Sequence, residues 1–89
     1  MSIEKNEFLV FISGILKAKD LKHEITSFDS GYMMIDIWYR ENLYVVQYEK
    51  DKIGLSEITK ESVVPFDPRA DEYYFTLEEF KEVFTGIFI

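Results

Sequence analysis

The sequence predicts an α+β domain. It has a helix at each end and an antiparallel meander of three to five strands between them, with both helices packed on one face of the sheet. Three observations predict this. Apolar residues recur at helical spacing near the N-terminus, the period switches to two from about residue 22, and a capping box opens a second helical stretch at Thr76.

The first helix is expected over residues 3 to 19. Phe8, Phe11, Ile12, Ile15 and Leu16 form one stripe, Leu9 and Val10 widen it, and Ser2 is the expected N-cap. Glu4 and Glu7 lie near the positive end of the helix dipole, Lys17 and Lys19 near the negative end. Gly14 falls inside this helix, and close packing against the sheet is its expected reason.

A first strand is expected over residues 23 to 28, followed by the turn Asp29-Ser30-Gly31, whose loop holds two or three residues. The clearest strand runs from Tyr32 to Arg40, with Asp36, Trp38 and Arg40 on one side and Ile35, Ile37 and Tyr39 on the other. A two-residue turn at Glu41-Asn42 would set Tyr39 opposite Tyr44 and Ile37 opposite Val46, leaving Asp36 across from Gln47. A tight Lys50-Asp51 turn would then set Tyr48 opposite Ile53 and Val46 opposite Leu55. One face becomes wholly apolar or aromatic, and the other is mixed and open to solvent.

Residues 59 to 72 have no regular period and contain Pro65 and Pro68, which predicts a long loop. Tyr73-Tyr74-Phe75 is expected as a short edge strand. In the closing helix Thr76 and Glu79 form the capping box, Phe75 and Phe80 occupy the positions of a hydrophobic staple, and Gly86 is the expected C-cap. The apolar tail Ile87-Phe88-Ile89 is expected to pack on the body or on a neighbour.

The 89 residues fit a single domain, and the composition bounds its function. Seventeen acidic residues against ten basic ones give a formal net charge of -7, which argues against a nucleic-acid groove and an anionic membrane surface. The absence of cysteine excludes disulfides, thiolate zinc sites and Cys nucleophiles. No apolar run reaches the roughly 18 residues needed to span a bilayer. Acidic Glu4 and Glu7 ahead of the first apolar run are unlike a signal peptide. A soluble, cytoplasmic domain is the expectation.

Motifs for chemistry are sparse. His23 is the single histidine and has no G-x-S-x-G elbow to serve; the four glycines are too scattered for a phosphate loop. Asp67, Asp71 and Glu72 cluster in the long loop, but their spacing does not fit an EF-hand. No cofactor, metal or nucleotide is therefore expected. The charge is uneven: residues 57 to 89 hold eight acids against three bases, a net of -5. An acidic surface of this kind ordinarily serves solubility; the sharper expectation is that it complements a basic partner and steers its approach.

The stretch from Trp38-Tyr39 to Gly54-Leu55-Ser56, then Phe66 to Phe75 and a short capped helix, resembles in layout several small bacterial immunity-type families. That resemblance implies a compact acidic protein that neutralises a toxin domain by binding it. It carries no diagnostic motif, so no binding residue transfers from it.

The leading expectation is a small, non-enzymatic interaction protein that takes a basic partner on the open sheet face and the acidic loop. Its candidate residues are Asp36, Trp38, Arg40, Asp67, Asp71 and Glu72. A second expectation is a small-ligand or enzymatic domain with a carboxylate-lined pocket under the 59 to 72 loop. A third is a module that forms a homodimer through an uncovered strand edge or the open face.

Overall fold

The computed structural model describes residues 3–58 and 72–88. The elements are α1 (Lys5–Ala18), β1 (Lys22–Ser27), β2 (Met33–Tyr39), β3 (Asn42–Tyr48), β4 (Ile53–Ile58), β5 (Glu72–Tyr74) and α2 (Leu77–Phe88). The five strands form one sheet in the order β1-β2-β3-β4-β5, with every neighbouring pair antiparallel. The α+β meander expected from the periodicity is the observed fold, with five strands.

The alternation of the strands divides the sheet as a period of two requires. Met33, Ile35, Ile37, Tyr44, Val46, Tyr48, Ile53, Leu55 and Tyr74 are all buried on one side. The helices meet that side through aromatic rings. Phe8 of α1 stacks on Tyr48 with centroids 4.9 Å apart. Phe80 at the start of α2 lies 6.2 Å from Tyr74, and Phe88 at its end lies 5.1 Å from both Tyr44 and Tyr39. Between them Phe84 lies 5.1 Å from Phe80 and 4.6 Å from Phe88, so one i, i+4 ladder runs along α2. Phe11 of α1 meets the same ladder edge-on, which joins helix to helix.

The first hairpin closes with a three-residue loop. Phe28 N–H donates to the Tyr32 carbonyl, Gly31 N–H donates to the Phe28 carbonyl, and Gly31 adopts φ +90°, a type I turn with a glycine bulge. The Tyr48–Ile53 and Val46–Leu55 pairs of the third and fourth strands are those expected.

The second hairpin departs from expectation. Its turn is Arg40-Glu41, one residue earlier than the Glu41-Asn42 read from the sequence. The pairing therefore slides by two residues: Tyr39 faces Asn42, Ile37 faces Tyr44 and Ile35 faces Val46. A slip of two keeps every side chain on its face, which is why the dry face was still read correctly. Arg40 and Glu41 have φ of 50° and 70°, the left-handed values of a type I′ turn. The absence of Gly hid this turn. Packing of the apolar pairs on either side sets the register and imposes the positive φ on two ordinary residues.

Four local expectations are also corrected. Glu4, not Ser2, is the N-cap of α1, and its carboxylate accepts from Glu7 N–H at 2.7 Å. Gly14 is exposed, and a Cβ placed there would meet nothing within 4 Å, so it serves no close packing. Phe75 is 61% exposed; Tyr74, not Phe75, supplies the aromatic contact to Phe80. Helix α2 continues through Gly86 to Phe88, whose burial against Tyr39 and Tyr44 rewards the extra turn. The capping box forms as expected: Glu79 N–H donates to Thr76 Oγ1 at 3.2 Å, and Thr76 Oγ1 donates to the Glu79 carboxylate at 3.1 Å.

The N-terminal segment is fastened to the end of β3 and to the β3–β4 turn. Ile3 N–H donates to the Lys50 carbonyl, and the buried Tyr48 hydroxyl donates to the Ile3 carbonyl, both at 2.6 Å. Burial raises the Tyr48 hydroxyl above its ordinary pKa, with Glu4 adding to the rise, so it stays a donor. Tyr48→Phe keeps the ring stacked on Phe8 and removes only this donor. It is expected to cost about 1–2 kcal/mol by urea denaturation, the usual penalty for stranding one buried partner.

Candidate functional site

The face of the sheet turned away from the helices is built from residues of the other parity. The strand register aligns them in rows that cross the sheet. One row is Lys22, Trp38, Leu43 and Ile58; the next is Glu24, Asp36, Val45 and Ser56; a third is Thr26, Met34, Gln47, Gly54 and Tyr73. The same alternation that buries one side through the helices leaves this side without a helical layer among the described residues.

Two carboxylates stand directly opposite each other in the middle row, Glu24 on β1 and Asp36 on β2. Like charges at directly opposed strand positions destabilise a sheet. Burial pushes the Asp36 carboxyl above its ordinary value of 3.8, and the Glu24 charge pushes it further in the same direction. On the row beside them the Trp38 ring is 38% exposed, with the Lys22 ammonium 5.3 Å from its centroid. Ile58, at the far end of that row, is 41% exposed. The Tyr73 ring lies under the Lys52 ammonium at 4.5 Å, and Lys52 also reaches Glu49 at 4.0 Å. The β1–β2 end of the face is thus acidic in its middle row, and apolar and aromatic groups flank it.

Of the six residues singled out from the sequence, the structure brings Asp36 and Trp38 together on this face. Arg40 lies in the β2–β3 turn, where its guanidinium covers the Tyr39 ring at 5.1 Å. Tyr39 has the parity of the helix-covered side, so Arg40 does not join Asp36. Glu72 pairs with Leu55, which is also a position of that side, and its carboxylate accepts a hydrogen bond from Tyr74. Burial and this carboxylate together raise the Tyr74 hydroxyl to about 12. Asp67 and Asp71 lie outside the described residues, as does most of the pocket expected under the 59 to 72 loop. Asp36 faces Val45 on β3, not Gln47, because of the two-residue slip in register.

Glu24 and Lys22 were not singled out from the sequence. The signal for them was the Asp29-Ser30-Gly31 turn: its three-residue form fixes β1 so that Glu24 meets Asp36 and Lys22 meets Trp38.

Among the described residues, His23 does not converge on the carboxylate pair. His23 is exposed, with its Nδ1 2.9 Å from the Leu21 carbonyl, and it has the opposite parity to Glu24. An open depression of about 730 Å³ lies at the hairpin end of the sheet, lined by Gly31, Tyr32, Tyr48, Glu49 and Asp51 among others. Among the described residues no three of His, Asp and Glu are placed to hold a metal ion, and no helix is long and apolar enough to cross a membrane. Comparison with protein-family models, curated proteins and solved structures yields no match.

The carboxylate pair has a pH signature. Folding holds the Asp36 value above the unfolded one, so the ionised form costs stability at neutral pH; that cost is lost as pH falls through the raised value. Asp36→Asn is expected to stabilise the protein by about 0.5 kcal/mol at pH 7, with the gain shrinking towards zero below the ordinary carboxylate value. Thermal melts of both proteins across that range check it.

Proposed function

We propose that the protein is a small, non-enzymatic binding module that receives a basic protein partner on the open face of its sheet, centred on Glu24, Asp36 and Trp38. One observation carries this reading: a pair of opposed carboxylates, one exposed and one half-buried, beside an exposed tryptophan at the β1 end of a sheet face that has no helical layer among the described residues. Such a pair costs stability in the free protein. A Lys or Arg brought between the two carboxylates turns that cost into attraction. Tryptophan is also a residue type that concentrates binding energy at the centre of interfaces.

The overall charge supports the same reading, since a net charge of -7 accelerates encounter with a basic surface. Neutralisation of a basic toxin-like domain, which the layout resemblance implies, is the form of this function that we favour. Inhibition then works by occupancy, and the protein needs no chemistry of its own. Catalysis through the carboxylate dyad is the weaker reading, because Glu24 is exposed on the outermost strand with no enclosing walls among the described residues.

The test uses a short Arg-rich peptide as the probe, followed by NMR at two salt concentrations. Resonances of Glu24, Asp36 and the Trp38 indole are expected to shift most. Adding salt should weaken binding, and the paired change Glu24→Gln with Asp36→Asn should reduce affinity by about tenfold. Shifts centred instead on the acidic first turn of α2, unchanged by that pair of substitutions, would sink the proposal.

A further inference from the structure

The sheet has two edges, and they differ. At one edge β5 is three residues long. At the other, β1 is six residues long, contains no proline, and all six of its residues are exposed. The Phe28 N–H bond to the Tyr32 carbonyl fixes which backbone groups of β1 point where. Even-numbered residues direct their N–H and C=O towards β2, so His23, Ile25 and Ser27 direct theirs outwards. Neither helix overhangs this strand, because Ile25 is 42% exposed even though its side chain lies on the helix-covered side of the sheet.

A free edge of this length is a template for another strand, and natural sheets usually shield it. The opposite charges of Lys22 and Glu24 on β1 favour one that fits. We propose that β1 pairs antiparallel with β1 of a second copy about a two-fold axis through His23, joining two sheets into one of ten strands. In this register Lys22 stands opposite Glu24 of the second copy, and Glu24 opposite its Lys22. Both ion pairs fall on the open face. On the helix side, His23 stands opposite its own copy, and Leu21, just outside β1 with its N–H donated to the Leu16 carbonyl, comes opposite Ile25 of the second copy. The neighbouring register with the axis through Glu24 sets the two Glu24 carboxylates against each other, which opposes it.

The charge pattern explains why Glu24 tolerates a place opposite Asp36. Each Glu24 gains a cation from the edge, and the interface is isologous, as a two-fold axis requires. The pairing shares Glu24 with the basic-partner reading but does not rest on it: it concerns the edge of the sheet and is measured on the protein alone. The strand is short and each copy carries a net charge of -7, so the dimer is weak and in rapid exchange.

Sedimentation equilibrium up to about 1 mM protein tests it, on a scale where such a dimer is populated. The mean mass is expected to rise from 10.6 kDa towards twice that value. Glu24→Lys sets lysine against lysine at both symmetric positions and should weaken the dimer by about tenfold. The same change relieves the contact with Asp36, so far-UV circular dichroism should show an intact fold. The double reversal Lys22→Glu with Glu24→Lys restores both pairs and should return the constant to within about threefold of the original. A monomer at all concentrations overturns the proposal, as does a dimer whose strength ignores the single reversal or fails to recover in the double.

Discussion

The structure depends on the ladder Phe80, Phe84 and Phe88 along α2. All three rings are almost wholly buried, and Phe84 touches both of its ladder neighbours as well as Phe11 of α1. This single row ties the last helix to the first and ties both to the sheet. It also sets how much sheet can be covered. From Phe80 to Phe88 the helix rises about 12 Å. Its rings reach from Tyr74 on β5 to Tyr39 on β2, three strand spacings or about 14 Å. The ladder is used up at β2, and β1 lies one strand farther out.

The open features of the molecule follow from that limit. Among the described residues, two short helices cover one face of the five-stranded sheet, incompletely, and none covers the other. The uncovered face keeps Glu24 and Asp36 opposed beside Trp38, and the uncovered edge presents the outward backbone groups of His23, Ile25 and Ser27. A protein shaped by stability alone would place opposite charges, or none, at the Glu24–Asp36 position. Retaining both carboxylates there is a local conflict that supports the proposed binding reading, and the raised Asp36 value is its electrostatic trace.

The parts legible in the sequence were those governed by periodicity and by short-range capping. The dry face was readable because alternation survives any even slip, and the Thr76–Glu79 box because both of its partners lie within one turn. The β2–β3 turn was not readable, since Arg40 and Glu41 hold positive φ without the glycine or asparagine that usually marks it. The role of Gly14 was misjudged because a glycine in a helix looks the same in sequence whether it faces a strand or solvent. At the candidate site, Asp36 and Trp38 stood out as polar and aromatic residues on a strand of clear alternation. Glu24 did not, since its meaning depends on a partner twelve residues away and on the length of one loop.

The central claim is that the helices cover the sheet only as far as β2 and leave β1 bare. Amide hydrogen exchange by NMR, in dilute solution where self-association is negligible, tests it residue by residue. The account predicts alternation along β1: Glu24 and Thr26 exchange slowly because they donate to β2, while His23, Ile25 and Ser27 exchange quickly. The amides of β3, paired on both sides, are slow throughout. Equal protection of odd and even residues along β1 would mean that its outer edge is covered, and would contradict the account.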